Sequence, residues 1–281
     1  MQIIKHNDRL SEVLNMARAS GKKVHLIPTM GALHQGHLSL VENALEQGAI
    51  IVVSVFVNPL QFNEPDDLAN YPRTFEADKK KLSSSGCDVM FFPSENEIYP
   101  ENTTPNYILD GLESIMEGQY RPGHFQGVVQ VVARLFSIVN PDRAFFGQKD
   151  FQQLAIIRHM MTKLGHRTEV IGCPTVREKS GLAMSSRNTL LSEKARIQSN
   201  VIYTALKHVQ EGYINGLPIE QIIKSGSGLI DVADGFKLEY LEVVDPDRLT
   251  RIYKNENKAA VSCVAAYVEG IRLIDNLMLI A

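Results

Sequence analysis

The stretch "KKVHLIPTMGALHQGHLSLVENALEQGAIIVVSVFVN", residues 22–58, decides the fold. It begins with the apolar, β-branched run "KKVHLIPT" (22–29) and ends with another, "AIIVVSVFVN" (49–58). Both are bounded by Gly or Pro, as expected of strands covered on both faces. Between them, "HLSLVENALEQG" (37–48) places Leu38, Val41 and Leu45 on one helical face, with Gly48 available to end the helix. A strand, a helix and a second strand in this order make the unit of a parallel sheet.

Working outward, the strand pattern recurs in "CDVMFFP" (87–93), "DRAFFG" (142–147) and "TEVIGCP" (168–174). The amphipathic segments "FQGVVQVVARLFSIVNP" (125–141) and "FQQLAIIRHMMTKLG" (151–165) supply further crossovers. Residues 1–176 therefore read as an α/β domain, a doubly wound Rossmann-like parallel sheet. Ligands of such sheets bind at the carboxyl ends of the strands. From Arg177 the texture changes. A long polar helix is predicted over 192–216 and a second over 219–232, then "KLEYLEVVD" (237–245) and "AAVSCVAAYV" (259–268) as antiparallel strands. Residues 177–281 read as a smaller α+β domain.

Composition bounds the function. A 281-residue chain that is 44% hydrophobic can bury a substantial core, and a net charge of -3 supplies no broad basic face for a nucleic-acid backbone. Cys87, Cys173 and Cys263 form no CxxC and sit beside apolar residues, so three buried, reduced thiols are expected. The opening residues carry Asp8 and Glu12 and no continuous apolar stretch, unlike a signal peptide. No apolar run approaches the ~20 residues that span a bilayer. These features predict a cytoplasmic protein with no membrane and no nucleic-acid partner.

The chemistry is written where the first strand ends. Gly31 allows a sharp turn, and His34, Gly36 and His37 open the following helix. A helix N-terminus offers unpaired N–H groups and the positive end of the dipole. Two imidazoles at i and i+3 project from the same side of its first turn, where each can donate to phosphate oxygens, and Gly36 leaves room for the ligand. The other readings of paired histidines are a solvated loop or a zinc site, and the motif holds no third ligand at metal spacing. Downstream, "GLAMSSRN" (181–188) offers Arg187 as a cation and Ser185 and Ser186 as hydroxyl donors. "FFGQKDFQQL" (145–154) offers Lys149 as a cation for phosphate oxygens and Asp150 as a ribose acceptor or a helix cap. Asn58, Gln61 and Gln153 are neutral amides near strand ends, suited to a ligand bearing hydroxyls.

HxGH resembles the HIGH signature of nucleotidyltransferases and class I aminoacyl-tRNA synthetases, and "GLAMSSRN" resembles their KMSKS-type loop. With "PTMGALHQGHLSL" (28–40), "SVFVNPLQF" (54–62), "YPRT" (71–74), "YRPGHFQGVVQVV" (120–132), "PDRAFFGQKDFQQL" (141–154), "PTVREKSGLAMSSRN" (174–188), "YLEVVDP" (240–246) and "RLIDN" (272–276) in one order, the chain closely resembles the pantothenate synthetase (pantoate–β-alanine ligase) family. The resemblance implies a two-step reaction. ATP and pantoate give pantoyl adenylate and pyrophosphate, and the β-alanine amine then displaces AMP to give pantothenate. It implies ATP as co-substrate with Mg²⁺ bridging the outer phosphates, and a homodimer.

By the same resemblance, His37, His34, Lys149 and Arg187 are the catalytic donors. Met30, Gly31, Ala32, Leu33, His34, Gln35, Gly36, His37, Gly147, Gln148, Lys149, Asp150, Val176, Met184, Ser185, Ser186 and Arg187 line the ATP site. Gln61 and Gln153 hold pantoate, with Gln61 also near β-alanine, and Asn58 beside them. Arg121 and His124 neutralise anionic groups or are structural. Asp78 contacts a metal or is a solvated helix residue; the metal ligands are otherwise unassigned. The loop "NEPDDLANYPRT" (63–74) and the second domain are expected to close over the intermediate and exclude water. Two rivals stay open. A related nucleotidylyltransferase would keep AMP or CMP in its product, and a nonenzymatic nucleotide sensor would tolerate loss of His37. A tRNA synthetase is disfavoured, because the residues after the second loop carry no basic excess.

Overall fold

The computed structural model describes residues 1–63, 65–100 and 105–280, so Glu64 of the 63–74 loop lies outside the described residues. The apolar runs of the first half line up side by side as β1 (Gln2–Ile4), β2 (Lys23–Thr29), β3 (Ala49–Val55), β4 (Val89–Phe91), β5 (Arg143–Gly147) and β6 (Glu169–Cys173). Every pairing among them is parallel, and their order is β1-β4-β3-β2-β5-β6. The chain steps from β2 outward through β3 to β4, then returns to the other flank of β2 for β5 and β6. β2 and β5 are thus neighbours whose connections leave in opposite directions, the switch point at which doubly wound sheets bind ligands. The strand β1 has no counterpart among the sequence expectations; three residues are too few to show a period.

The helices accompanying these strands are α1 (Asn7–Ala19), α2 (Gln35–Ala44), α3 (Pro65–Asn70), α4 (Phe75–Ser83), α5 (Glu95–Ile98), α6 (Glu117–Tyr120), α7 (His124–Val139) and α8 (Phe151–Lys163). α2 covers one face of the sheet, where Leu40, Val41 and Ala44 bury themselves among Ile27, Ile51, Val53, Val55 and Phe145. α7 covers the other, its Phe136 ring 6.5 Å from that of Phe146, the next residue along β5. The Arg18 guanidinium at the end of α1 donates to the carbonyls of Val139 (2.6 Å) and Asn140 (2.9 Å), which ties α1 to the C-terminus of α7. Gly48 does not end α2. The helix stops at Ala44, and Gly48, at φ 82°, turns the chain into β3 instead.

The remaining elements are α9 (Glu193–Gln198), α10 (Asn200–Ile214), α11 (Ile219–Asp231), β7 (Phe236–Val244), β8 (Ala260–Val268) and β9 (Ile271–Ile280). The single helix expected over 192–216 is broken at Ser199, whose hydroxyl donates back to the Ala195 carbonyl at 2.7 Å, a bond that competes with the helical ladder. β7 and β8 pair antiparallel as expected, and β9 extends the sheet. The β8–β9 turn places Glu269 (φ 51°) and Gly270 (φ 75°) both in the left-handed region, as a two-residue primed turn requires.

Two compact units result: Met1–Gln148 with Ile156–Pro174, and Lys149–Ala155 with Thr175–Ala281. The division expected after Val176 differs from this one by two residues and by the start of α8. The second difference has a local cause: the Asn276 side-chain amide of β9 holds the Lys149 carbonyl at 2.8 Å.

Gly270→Val would place a β-branched residue at positive φ and cost about 1–2 kcal/mol of stability. A lowered urea midpoint checks this; an unmoved midpoint would contradict the strained-turn account.

Candidate functional site

In the first unit, β2 ends at Thr29 and the chain reaches α2 through a turn in which Gly31 (φ 82°) and Ala32 (φ 49°) are both left-handed. Two main-chain N–H groups of this turn are satisfied by one side chain. Asp78 of α4, only 1% exposed, accepts from Ala32 N at 3.0 Å, Leu33 N at 2.8 Å and the Thr74 hydroxyl at 3.2 Å. Lys81, one turn further along α4, donates to the Leu33 carbonyl. A Cβ on Gly31 would lie 3.1 Å from both Asp78 Oδ2 and Val55 Cγ1, so glycine suits the position in φ and in space. The expectation that Asp78 is a solvated helix residue is corrected: it is buried, and its oxygens accept from two main-chain N–H groups and the Thr74 hydroxyl. Among the described residues, no group of three His, Cys, Asp or Glu is gathered to hold a metal ion.

His34 is the N-cap of α2 and His37 its third helical residue. His34 Nδ1 accepts from Gly36 N at 3.1 Å, and His37 Nδ1 accepts from His34 N at 3.2 Å, a capping box built from imidazoles. An amide N–H only donates, so each Nδ1 is unprotonated and each ring carries its proton on Nε2. Both histidines are therefore Nε2–H donors, with ring centroids 4.1 Å apart at the start of the helix. Met30 and Gly36 are partly buried, Gln35 is exposed, and the Leu33 side chain lies in the core with Leu40 and Val41, which leaves only its main chain for a ligand.

Asn58 and Gln61 follow β3 on a 3-10 turn, Pro59–Gln61, and both are buried. Asn58 Nδ2 donates to Gln61 Oε1 at 3.2 Å, and Gln61 Nε2 lies 3.0 Å from Met30 Sδ. His124, at the start of α7, holds the Gln61 carbonyl through Nδ1 at 2.7 Å, while Arg121 Nη1 lies 3.0 Å from its Nε2. A carbonyl only accepts and a guanidinium only donates, so His124 is the Nδ1–H tautomer. A Cβ on Gly127 would meet the Leu60 carbonyl oxygen at 2.2 Å; glycine lets α7 press against this turn. Gly147 ends β5, the neighbour of β2, and Gln148 opens the turn that follows.

In the second unit, Lys149 Nζ lies 3.4 Å from Asp150 Oδ1, and Gln153 is partly buried on the first turn of α8. Val176 and Met184 flank the antiparallel bridge between Arg177 and Ala183, the Met184 amide donating to the Val176 carbonyl at 2.9 Å. Ser185 caps the 3-10 turn Ser186–Leu190, accepting from Arg187 N at 3.2 Å, so its hydroxyl hydrogen stays directed elsewhere. The base of this loop is a buried ion pair. Arg177 Nη1 and Nη2 lie 2.5 and 3.0 Å from the two oxygens of Asp275, with further bonds to the carbonyls of Gly181 (3.2 Å) and Asn276 (3.2 Å). The guanidinium stacks on Tyr203 at 3.9 Å. Burial pushes the Asp275 carboxyl up, and Arg177 opposes the shift.

The sequence matches the profile of the Pantoate-beta-alanine ligase family over residues 2–278. The chain belongs to that family. It is 45% identical over 280 residues to the pantothenate synthetase of Phocaeicola vulgatus, covering 99% of each chain. It is 44% identical over 279 residues to that of Bacteroides thetaiotaomicron, covering 99% of this chain and 98% of the relative. The solved pantothenate synthetase of Thermus thermophilus superposes with a TM-score of 0.91 at 40% identity and full coverage of both chains. The pantoate–β-alanine ligase of Francisella tularensis, solved with β-γ ATP and β-alanine, does so with a TM-score of 0.80 at 32% identity, covering 99% and 98%.

Sequence reasoning missed the supports of this ligase's motifs: Lys81, Arg177, and Asp275 with Asn276 of "RLIDN". The available signal was Asp275, an ionisable residue with a polar amide beside it inside the apolar β9 run, which has to be partnered when buried.

Asp78→Ala strips the acceptor from two main-chain N–H groups and costs about 2–4 kcal/mol, with Asp78→Asn in between. Thermal unfolding of both variants reads this, and an unshifted Asp78→Ala would remove Asp78 from the support of the turn. Arg177→Met leaves a buried carboxylate without its partner and costs about 3–5 kcal/mol, much of which Arg177→Met with Asp275→Leu regains. Equal destabilisation by the single and double changes would show that the pair itself carries the stability.

Proposed function

We propose that the donors described above carry out the two-step ligation of this family. The chain is an ATP-dependent ligase that condenses (R)-pantoate with β-alanine to give pantothenate, AMP and diphosphate. In the first step a pantoate carboxylate oxygen attacks the α-phosphorus, and the bond from that phosphorus to the diphosphate oxygen breaks. In the second, the β-alanine amine attacks the acyl carbon, AMP leaves with the carboxylate oxygen, and the nitrogen loses a proton. Neither step needs a side-chain nucleophile. What they need is positioning and stabilisation of charge on the α-phosphate and on the leaving group.

The observation that carries the reading is the pair of Nε2–H imidazoles at the N-terminus of α2, at the carboxyl end of the strand beside the switch point. His37 is the essential donor and His34 its companion. Lys149 and Arg187 add positive charge for the phosphates, and the Ser185 and Ser186 hydroxyls donate to them. Residues 30–37, 147–150, Val176 and 184–187 bind ATP, largely through main-chain groups. Gln61 and Gln153 hold pantoate, with Asn58 orienting Gln61; Arg121 acts through His124. Mg²⁺ bridging the outer phosphates of ATP rests, like the homodimer, on the family resemblance. Three buried, unbridged cysteines suit the reducing cytoplasm.

Pyrophosphate exchange into ATP tests this scheme, with pantoate alone, β-alanine alone, or neither. Exchange requiring only pantoate is expected, and His37→Ala lowers it by ~100-fold or more. No exchange from folded protein that binds ATP would sink the adenylate route.

A further inference from the structure

We propose that Tyr99 is a positioning residue that fixes which end of the Gln61 amide faces the substrate, making Gln61 a hydrogen-bond donor to an oxygen of pantoate. The inference rests on the reading above that Gln61 contacts pantoate.

The argument starts from backbone groups whose roles are fixed. The Gly127 carbonyl only accepts, so the Asn58 atom 3.0 Å from it is Nδ2. The Leu60 N–H only donates, so its partner at 3.4 Å is Asn58 Oδ1. With the Asn58 amide oriented, its second Nδ2 hydrogen points at Gln61, 3.2 Å away, and the atom receiving it is Oε1. Gln61 is left to present Nε2, which lies 3.0 Å from the Met30 thioether, a weak acceptor. A group with two N–H bonds whose partner among the described residues is a sulfur suits a ligand hydroxyl or carboxylate oxygen.

The contact from Leu60 N is long, and the short one to Asn58 Oδ1 comes from the Tyr99 hydroxyl at 2.9 Å. Tyr99 follows α5, is 5% exposed, and packs edge-on against Phe56 with centroids 6.3 Å apart. Burial pushes its phenol well above the usual range, so the hydroxyl stays protonated and donates. Removing that donor leaves Asn58 Oδ1 with the long bond alone. The Asn58 amide, still donating to the Gly127 carbonyl, is then held less firmly and turns more readily, and with it the polarity of Gln61.

The test is a double-mutant cycle on pantothenate formation, with thermal unfolding to confirm that each variant is folded. Gln61→Ala raises KM for pantoate. Tyr99→Phe, which keeps the ring and its packing, raises it about three- to tenfold, the effect of one lost neutral hydrogen bond, with KM for ATP unchanged. In the Gln61→Ala background Tyr99→Phe adds nothing, because the group it orients is gone. Additive effects, or a Tyr99→Phe enzyme with unchanged KM for pantoate, overturn the inference while leaving Gln61 as a contact. An unchanged KM in Gln61→Ala sinks the contact itself, and the inference with it.

Discussion

The grip of Asp78 on the turn after β2 is the interaction on which the first unit's site depends. A strand in the middle of a parallel sheet has its main chain paired until the ladder stops, and the groups just beyond must find other partners or remain buried without any. Ala32 and Leu33 stand at that point, with Gly31 and Ala32 already left-handed. One carboxylate supplies both acceptors, and Lys81, three residues along the same helix, takes the Leu33 carbonyl. A buried carboxylate is tolerable because the two amides and the Thr74 hydroxyl all donate to it. The Leu33 side chain packs into the core on the other side, so the turn is held from two directions when it delivers His34 to the N-cap position.

That delivery sets the chemistry of the imidazoles. Asp or Ser would cap α2 as well, but neither would cap with one atom and carry a rigid N–H on another. Here the capping role consumes Nδ1 of each ring and leaves the proton on Nε2. Protonating either ring would place a hydrogen on the nitrogen that accepts the amide and break the cap. Two imidazolium ions with centroids 4.1 Å apart would also repel each other. The fold thus favours two neutral donors at a helix end that already attracts anions, a combination suited to charge that develops during reaction.

What was legible in the sequence was whatever is written locally. The apolar period located β2 through β6 and the crossover helices α2, α7 and α8, and it located the antiparallel pair β7 and β8. Motifs placed the histidines after β2 and the amides after β3. The rest depended on partners remote in the chain. The role of Asp78 follows from a carboxylate meeting amides 45 and 46 residues away, and a helix surface pattern says nothing of that. β9 was obscured because Asp275 and Asn276 interrupt its apolar run, and they belong there only because Arg177 lies within reach. The break at Ser199 comes where two donors, its own amide and its hydroxyl, share the Ala195 carbonyl, and periodicity does not register that.

The second unit solves its own problem with a buried ion pair where an apolar contact would serve stability as well. The difference lies in direction. A leucine at 177 would fill space, whereas a guanidinium has five donors in a fixed plane. Arg177 uses them on Asp275 and on the carbonyls of Gly181 and Asn276, and the Asn276 side chain in turn holds the Lys149 carbonyl. One planar group thereby connects the base of the loop bearing Ser185, Ser186 and Arg187 to the segment bearing Lys149. Tyr203 stacked beneath it, and Gly181 at φ 100°, where a Cβ would meet Tyr203 at 2.8 Å, leave that plane little freedom to tilt. The pair is better understood as a device that fixes the relative placement of two cation-bearing segments than as a source of stability, since hydrophobic replacements would supply the stability without the geometry.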